Sequence, residues 1–192
     1  MPKRRVIAWF GKLQKLAGNF VDELLRDKLG SEGDIIEMDK CQVGKRKPHK
    51  GRRRREVWVL CAVVRGSMHR EGFVQTVKNR KRETLTPIIL ERINSNVEML
   101  VTDGWASYEG LMAHGFNHKS VNHSENFVHQ ANPQVHTQSI ESYWKQLRDF
   151  LNKKHAYRRK HLKGFLKEFF FRNKAADPFE NIISIIGREH RF

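Results

Sequence analysis

Asp34-Ile35-Ile36-Glu37-Met38-Asp39-Lys40-Cys41-Gln42-Val43 reads as a β-strand with acids set into it. Side chains alternate across a strand, so Ile35, Glu37 and Asp39 share one face while Ile36 and Met38 take the other. The same alternation aims Lys40 away from Asp39. A carboxylate within an apolar strand is costly unless a partner meets it. Next come a basic turn containing proline and glycine, Lys45–Arg55, and an uninterrupted apolar run, Val57–Val64. Such a run predicts a central strand covered on both faces, so the three pieces make strand, hairpin turn and strand.

Upstream, Phe10, Leu13, Ala17, Phe20, Val21, Leu24 and Leu25 recur at helical spacing, predicting an amphipathic helix that stops near Gly30. Downstream, Gly72–Lys78 reads as a third strand and Glu83–Ile93 as a helix with Leu85, Ile88, Ile89 and Ile93 on one side. Glu98–Asp103 is a short strand, Ala106–His114 a helix, and the region around His118–Val121 another short strand. Asn122–Gln138, rich in Asn, His, Gln and Ser, marks a loop. Helices follow over about Thr137–Leu151 and Lys160–Phe171, and the apolar stretch Phe179–Ile186 is placed to close over the core. Three strands, a helix, a strand, a helix, a strand and then helices is the element order of a ribonuclease H-like α/β domain, a mixed sheet flanked by helices.

Charge narrows the function. The chain has 192 residues, 37 Lys+Arg against 21 Asp+Glu and a formal charge of +16. Lys45–Arg55 holds eight basic residues and no acid, and Lys145–Lys174 eleven basic and two acidic, so these two segments carry all of the excess. Basicity gathered on two local surfaces suits a protein that grips phosphates at defined places. Taken singly, the first segment also reads as a nuclear-localisation tract and the second as a solvated helix face. With 39% apolar residues the chain is not a disordered basic tail. Cys41 and Cys61 cannot make a disulfide framework or a four-ligand zinc site, which points to a reducing intracellular compartment. The expected location is the nucleus if the source is eukaryotic and the cytoplasm otherwise. No apolar run approaches a membrane span, and Val6–Phe10 is too short for a signal-peptide core.

Three acids carry candidate chemistry. Asp39 lies in the first strand, and Asp103 ends the run Met99-Leu100-Val101-Thr102, at the carboxyl end of a strand, where open α/β sheets place ligands. Glu141 begins a helix whose apolar side is Ile140, Tyr143, Trp144, Leu147 and Leu151, so it shares the polar side with Lys145 and Arg148. In the expected fold the first and fourth strands are neighbours and the three carboxyl groups converge. Phosphodiester chemistry needs such a set: two divalent ions about 3.5–4 Å apart activate the attacking oxygen and stabilise the leaving one. Hard carboxylate oxygens suit Mg2+ or Mn2+. Each acid also has a purely structural reading: Asp39 paired with Lys40 or a hairpin residue, Asp103 capping the turn at Gly104, Glu141 ion-paired with Lys145.

Glu37-Met38-Asp39 followed by Gly44-Lys45-Arg46-Lys47 and Gly51-Arg52-Arg53 resembles the first-aspartate strand and basic hairpin of Merlin-type transposases and their bacterial insertion-sequence relatives. Val101-Thr102-Asp103-Gly104-Trp105 with Tyr108 resembles their second-aspartate motif. Val121-Asn122-His123-Ser124, Phe127-Val128 and His136-Thr137-Gln138-Ser139-Ile140-Glu141-Ser142-Tyr143-Trp144 resemble the loop and helix bearing the third acid, and Phe171-Arg172 the end of the domain. The resemblance implies a DDE catalytic domain in which Asp39, Asp103 and Glu141 bind two Mg2+ or Mn2+ ions. Its DNA partners would be transposon ends, cut with water, and a target to which the 3′ hydroxyl is joined, by a homo-oligomer. Asn122 and His123 would border the site. Two positions depart from the family pattern: Lys40 stands where a second acid is usual, and Gln138 where Asn is. The expected organisation is an N-terminal helix over 1–30, a remnant of or replacement for a DNA-binding region, then a catalytic domain over 31–175 and a helical tail over 176–192.

The expected phosphate contacts are Lys45, Arg46, Lys47, Arg52, Arg53, Arg54 and Arg55 in the turn and Lys145, Arg148, Lys153 and Lys154 beyond Glu141. His114, His118, His123, His129 and His136 match no compact zinc pattern. Trp105 and Trp144 read as core. Two rival functions stand beside the transposase: a host-adopted DNA-binding protein that no longer cuts, and another ribonuclease H-like nuclease such as a structure-selective resolvase.

Overall fold

The computed structural model describes residues 2–43, 57–67, 71–121, 133–154, 159–174 and 177–189. Alternating or continuous apolar runs become five strands, β1 (Ile35–Val43), β2 (Val57–Val64), β3 (Gly72–Val77), β4 (Met99–Asp103) and β5 (His118–Val121). Stretches of helical periodicity become α1 (Lys3–Leu24), α2 (Arg82–Arg92), α3 (Gln138–Lys153), α4 (Arg159–Lys174) and α5 (Pro178–Glu189). The sheet order is β3-β2-β1-β4-β5. β1, β2 and β3 run antiparallel in sequence, whereas β4 lies parallel to β1 and β5 parallel to β4. This is the ribonuclease H-like sheet that the element order predicts.

Both faces are covered. On one side Ile36, Met38, Leu60 and Leu100 pack with Leu85 and Ile89 of α2, with Ile93 just after it, and with Tyr108 and Leu111. On the other, Cys41, Val59, Cys61 and Val63 pack with Ile140, Tyr143, Trp144, Leu147 and Leu151 of α3 and Leu162, Leu166 and Phe169 of α4. β2 contributes alternate residues to both cores, which explains its unbroken apolar sequence. Helix α1 joins this body: its Ala17 and Val21 bury against Phe170 and Phe171 of α4 and Ile185 of α5.

One element differs from expectation. Ala106–His114 forms not one helix but two short 3-10 turns, Ala106–Tyr108 and Leu111–His114. Gly110 between them has φ +90°, a left-handed conformation that ends the first turn and restarts the chain. Tyr108 and Leu111 still reach the core, so the burial pattern survives the change of helix type. A second glycine is needed for proximity: a Cβ on Gly72 would collide with the Ala62 carbonyl oxygen across the β2–β3 pair.

Candidate active site

The parallel pairing of β1 with β4 sets two acids side by side. Register runs from Ile35 opposite Met99 to Met38 opposite Thr102, so Asp39, in the middle of β1, and Asp103, the last residue of β4, follow as the next residues side by side. Asp39 Oδ2 accepts the indole N–H of Trp144 from α3 at 2.9 Å, and Oδ1 accepts the backbone N–H of Lys40 at 2.6 Å. Trp144 is thus core, as its sequence reads, and also a strut of the site. Burial first and the Asp103 charge second hold the Asp39 carboxyl above the ordinary range, against the opposing pull of Lys40 and of both hydrogen bonds.

Lys40 corrects the expectation from alternation. Its stem does leave the sheet on the face opposite Asp39, yet its ammonium bonds Asp103 Oδ2 at the end of β4, and lies 3.9 Å from Asp39 Oδ1. The rings of Trp105 and Tyr108 flank that ammonium, their centroids 5.1 and 5.2 Å away. The Lys40 side chain is only 5% exposed, whereas those of Asp39 and Asp103 are 24% and 23% exposed. Trp105, half-buried instead of core, also carries the Arg80 guanidinium 3.8 Å from its ring centroid. Tyr108 is buried among these groups, and burial, together with the two aspartates, pushes its phenol up. Asp103 does not cap Gly104, whose N–H goes to Val121 O.

Glu141 sits in the first turn of α3, exposed, with Oε1 accepting from Thr137 Oγ1 at 3.4 Å. What fixes the start of α3 is an acid that sequence reasoning placed on the right face but assigned no task. Glu37 is fully buried; its Oε2 accepts the N–H of Ile140 at 3.0 Å, where Thr137 at the N-cap position supplies no side-chain bond. Its Oε1 pairs with Arg65 Nε at 2.8 Å and stands 3.4 Å from His136 Nδ1. The Arg65 guanidinium also donates to the carbonyls of Gln134 and His136, at 2.6 and 2.9 Å. Glu37 and Arg65 therefore anchor both α3 and the segment before it to the sheet. The sequence signal was an acid between Ile36 and Met38 and a base directly after an apolar strand.

Residues 32–174 match the ISXO2-like transposase domain. The chain belongs to that transposase family. Over 96 residues it is 29% identical to an uncharacterized transposase-like protein of Haemophilus influenzae, covering 50% of this chain and 75% of the relative. Among solved structures, the catalytic core domain of BIV integrase aligns with a TM-score of 0.48 at 13% identity, over 82% of this chain and 98% of that one. The HTLV-2 integrase catalytic core, solved in complex with magnesium, aligns with a TM-score of 0.40 at 12% identity, over 84% and 86%.

In this transposase domain the aspartate pair suits a hard cation. Asp103 Oδ1 is buried and has no hydrogen-bond partner among the described residues, a costly state that a cation would relieve. Each Asp39 oxygen accepts one bond and retains a lone pair. The trio itself is not gathered: among the described residues no three His, Cys, Asp or Glu side chains are grouped to hold a metal ion. Of the expected phosphate contacts, Lys145, Arg148 and Lys153 are exposed on α3 and Lys154 is exposed directly after it. Arg148 donates to Cys41 Sγ at 3.2 Å, beside the end of β1, and Lys154 pairs with Glu168 at 3.1 Å. Lys45, Arg46, Lys47 and Arg52–Arg55, with Asn122 and His123, lie outside the described residues. Among the described residues no helix is long and apolar enough to cross a membrane.

Proposed function

We propose that this domain is the catalytic part of a DNA transposase of the Merlin type, hydrolysing phosphodiesters at transposon ends and joining the freed 3′ hydroxyl to target DNA. The observation that carries the reading is the pair Asp39 and Asp103 on adjacent parallel strands, with a buried oxygen on Asp103 that has no hydrogen-bond partner among the described residues, within a chain of a transposase family. Asp39, Asp103 and Glu141 would hold Mg2+ or Mn2+; when bound, such ions supply the Lewis acidity that activates an attacking oxygen and stabilises a leaving one. The chain's own part is positional. Trp144 orients the Asp39 carboxylate, and Glu37 with Arg65 fixes the turn of α3 that presents Glu141. Lys145 and Arg148, one and two turns beyond Glu141, offer cations to a DNA backbone arriving at the same edge, and Val43 and Val57, which flank the basic segment in sequence, are paired in the sheet. The protein would act as an oligomer, in the nucleus of a eukaryote or the cytoplasm of a bacterium.

A second reading, a DNA-binding protein that no longer cuts, draws on the Lys40 ammonium paired with Asp103. Supercoiled plasmid incubated with purified protein and Mn2+ separates the two. Nicking that disappears in Asp103→Asn supports the transposase; no nicking beyond that variant's level leaves DNA binding alone.

A further inference from the structure

The Lys40 ammonium lies against both aspartates of the candidate metal-binding set. It bonds one oxygen of Asp103, approaches Asp39, and is almost wholly removed from solvent. The placement is built, since a strand residue on the opposite face reaches the aspartates only by running past Tyr108 and Trp105, whose rings form a two-sided cage of the kind that favours an ammonium. Arg80 stacks on Trp105, and Trp58 lies 4.9 Å from the same guanidinium, so the cage wall is itself supported. With Lys40 in place the two carboxylates and the ammonium sum to one negative charge instead of two.

Building on the functional reading above, we propose that Lys40 is a tethered counter-ion that competes with divalent metal for Asp103 and Asp39. Asp103 keeps Oδ1 for an incoming ion while Lys40 engages Oδ2, so uptake proceeds against a cation already present and is complete only when the ammonium leaves. A like charge a few ångströms away weakens cation binding steeply in a partly buried site. Lys40 thereby sets how strongly this chain holds metal before substrate arrives.

The test is Mn2+ titration of the full chain without DNA, by calorimetry or by the electron paramagnetic resonance signal of free Mn2+. Lys40→Gln, which removes the charge, is expected to bind Mn2+ roughly tenfold or more tightly than the wild type, while Lys40→Arg, which keeps it, stays weak. In EDTA the Gln variant melts lower than wild type, and Mn2+ raises its Tm further than it raises the wild-type Tm. Equal Mn2+ affinity in wild type and Lys40→Gln overturns the proposal. Should the Gln variant not fold, amine acylation of the wild type followed by peptide mass spectrometry decides. Lys40 is expected to react more slowly than exposed Lys145 and Lys153 in EDTA and faster at saturating Mn2+, and labelling of Lys40 at their rate in EDTA overturns the idea. The two levels fail separately: absence of nicking in every variant removes the transposase reading and leaves the affinities as measured, whereas equal affinities remove the role of Lys40 and leave nicking untouched.

Discussion

At the scale of single residues, Asp39 illustrates how burial and charge act against each other. Its carboxyl is held high chiefly by burial and then by Asp103, despite Lys40, its own backbone bond and Trp144. The native chain therefore holds a proton on Asp39 more readily than the unfolded chain does. In metal-free buffer the stabilising contribution of this group is full below the ordinary carboxylate value and is lost as pH rises through the raised one. Asp39→Asn retains an oxygen for Trp144 and removes the titration. We expect it to be more stable than wild type at pH 7 in EDTA, the difference shrinking to nothing below about pH 4. Urea midpoints across that range check this, and a variant less stable than wild type at pH 7 would contradict it. The sequence made Asp39 and Asp103 visible as candidates. The reach of Lys40 was hidden, because alternation fixes where a side chain leaves the strand and not where a four-carbon stem ends.

Among elements, α3 bears Glu141 and three of the expected phosphate contacts. Its apolar stripe was legible from spacing, and the same stripe packs on β1 and β2. Its docking point was not, since the Ile140 N–H in its first turn is held by Glu37, about a hundred residues earlier, and the local Thr137 side chain caps none of these groups. Glu37 is wholly buried and Arg65 half-buried, so splitting the pair leaves the buried carboxylate without its counter-ion. Arg65→Met leaves an uncompensated buried carboxylate and is expected to cost about 3 kcal/mol or more in urea unfolding. Adding Glu37→Gln to Arg65→Met should recover part of that loss. A single variant within a few tenths of a kcal/mol of wild type would show that the pair does not anchor the helix. The Ala106–His114 segment teaches the opposite lesson: apolar spacing found its buried residues, but Gly110 at positive φ chose 3-10 turns over a helix.

For the whole molecule, the charge distribution predicts the form of DNA binding. Phosphate contacts release counter-ions, so the logarithm of affinity should fall with the logarithm of salt by about 0.9 per neutralised phosphate. Replacing Lys145, Arg148 or Lys153 with Ala should each lower that slope by about one such step, and Lys154 by less because Glu168 already holds it. Fluorescence anisotropy of labelled duplex over a salt series measures this, and an unchanged slope in the triple variant would move the contact surface off α3. The body that presents these charges includes α1, packed on α4 and α5 through Val21, Phe170 and Ile185. By itself the sequence determined the elements, their apolar faces, the two basic segments and the acids worth watching, because periodicity and composition are local properties of a chain. Only the tertiary structure decided which groups meet: Lys40 with Asp103, Trp144 with Asp39, Glu37 with Arg65 and α3. Those meetings join residues far apart along the chain, and their energies depend on burial that exists only once the sheet and its helices have closed over them.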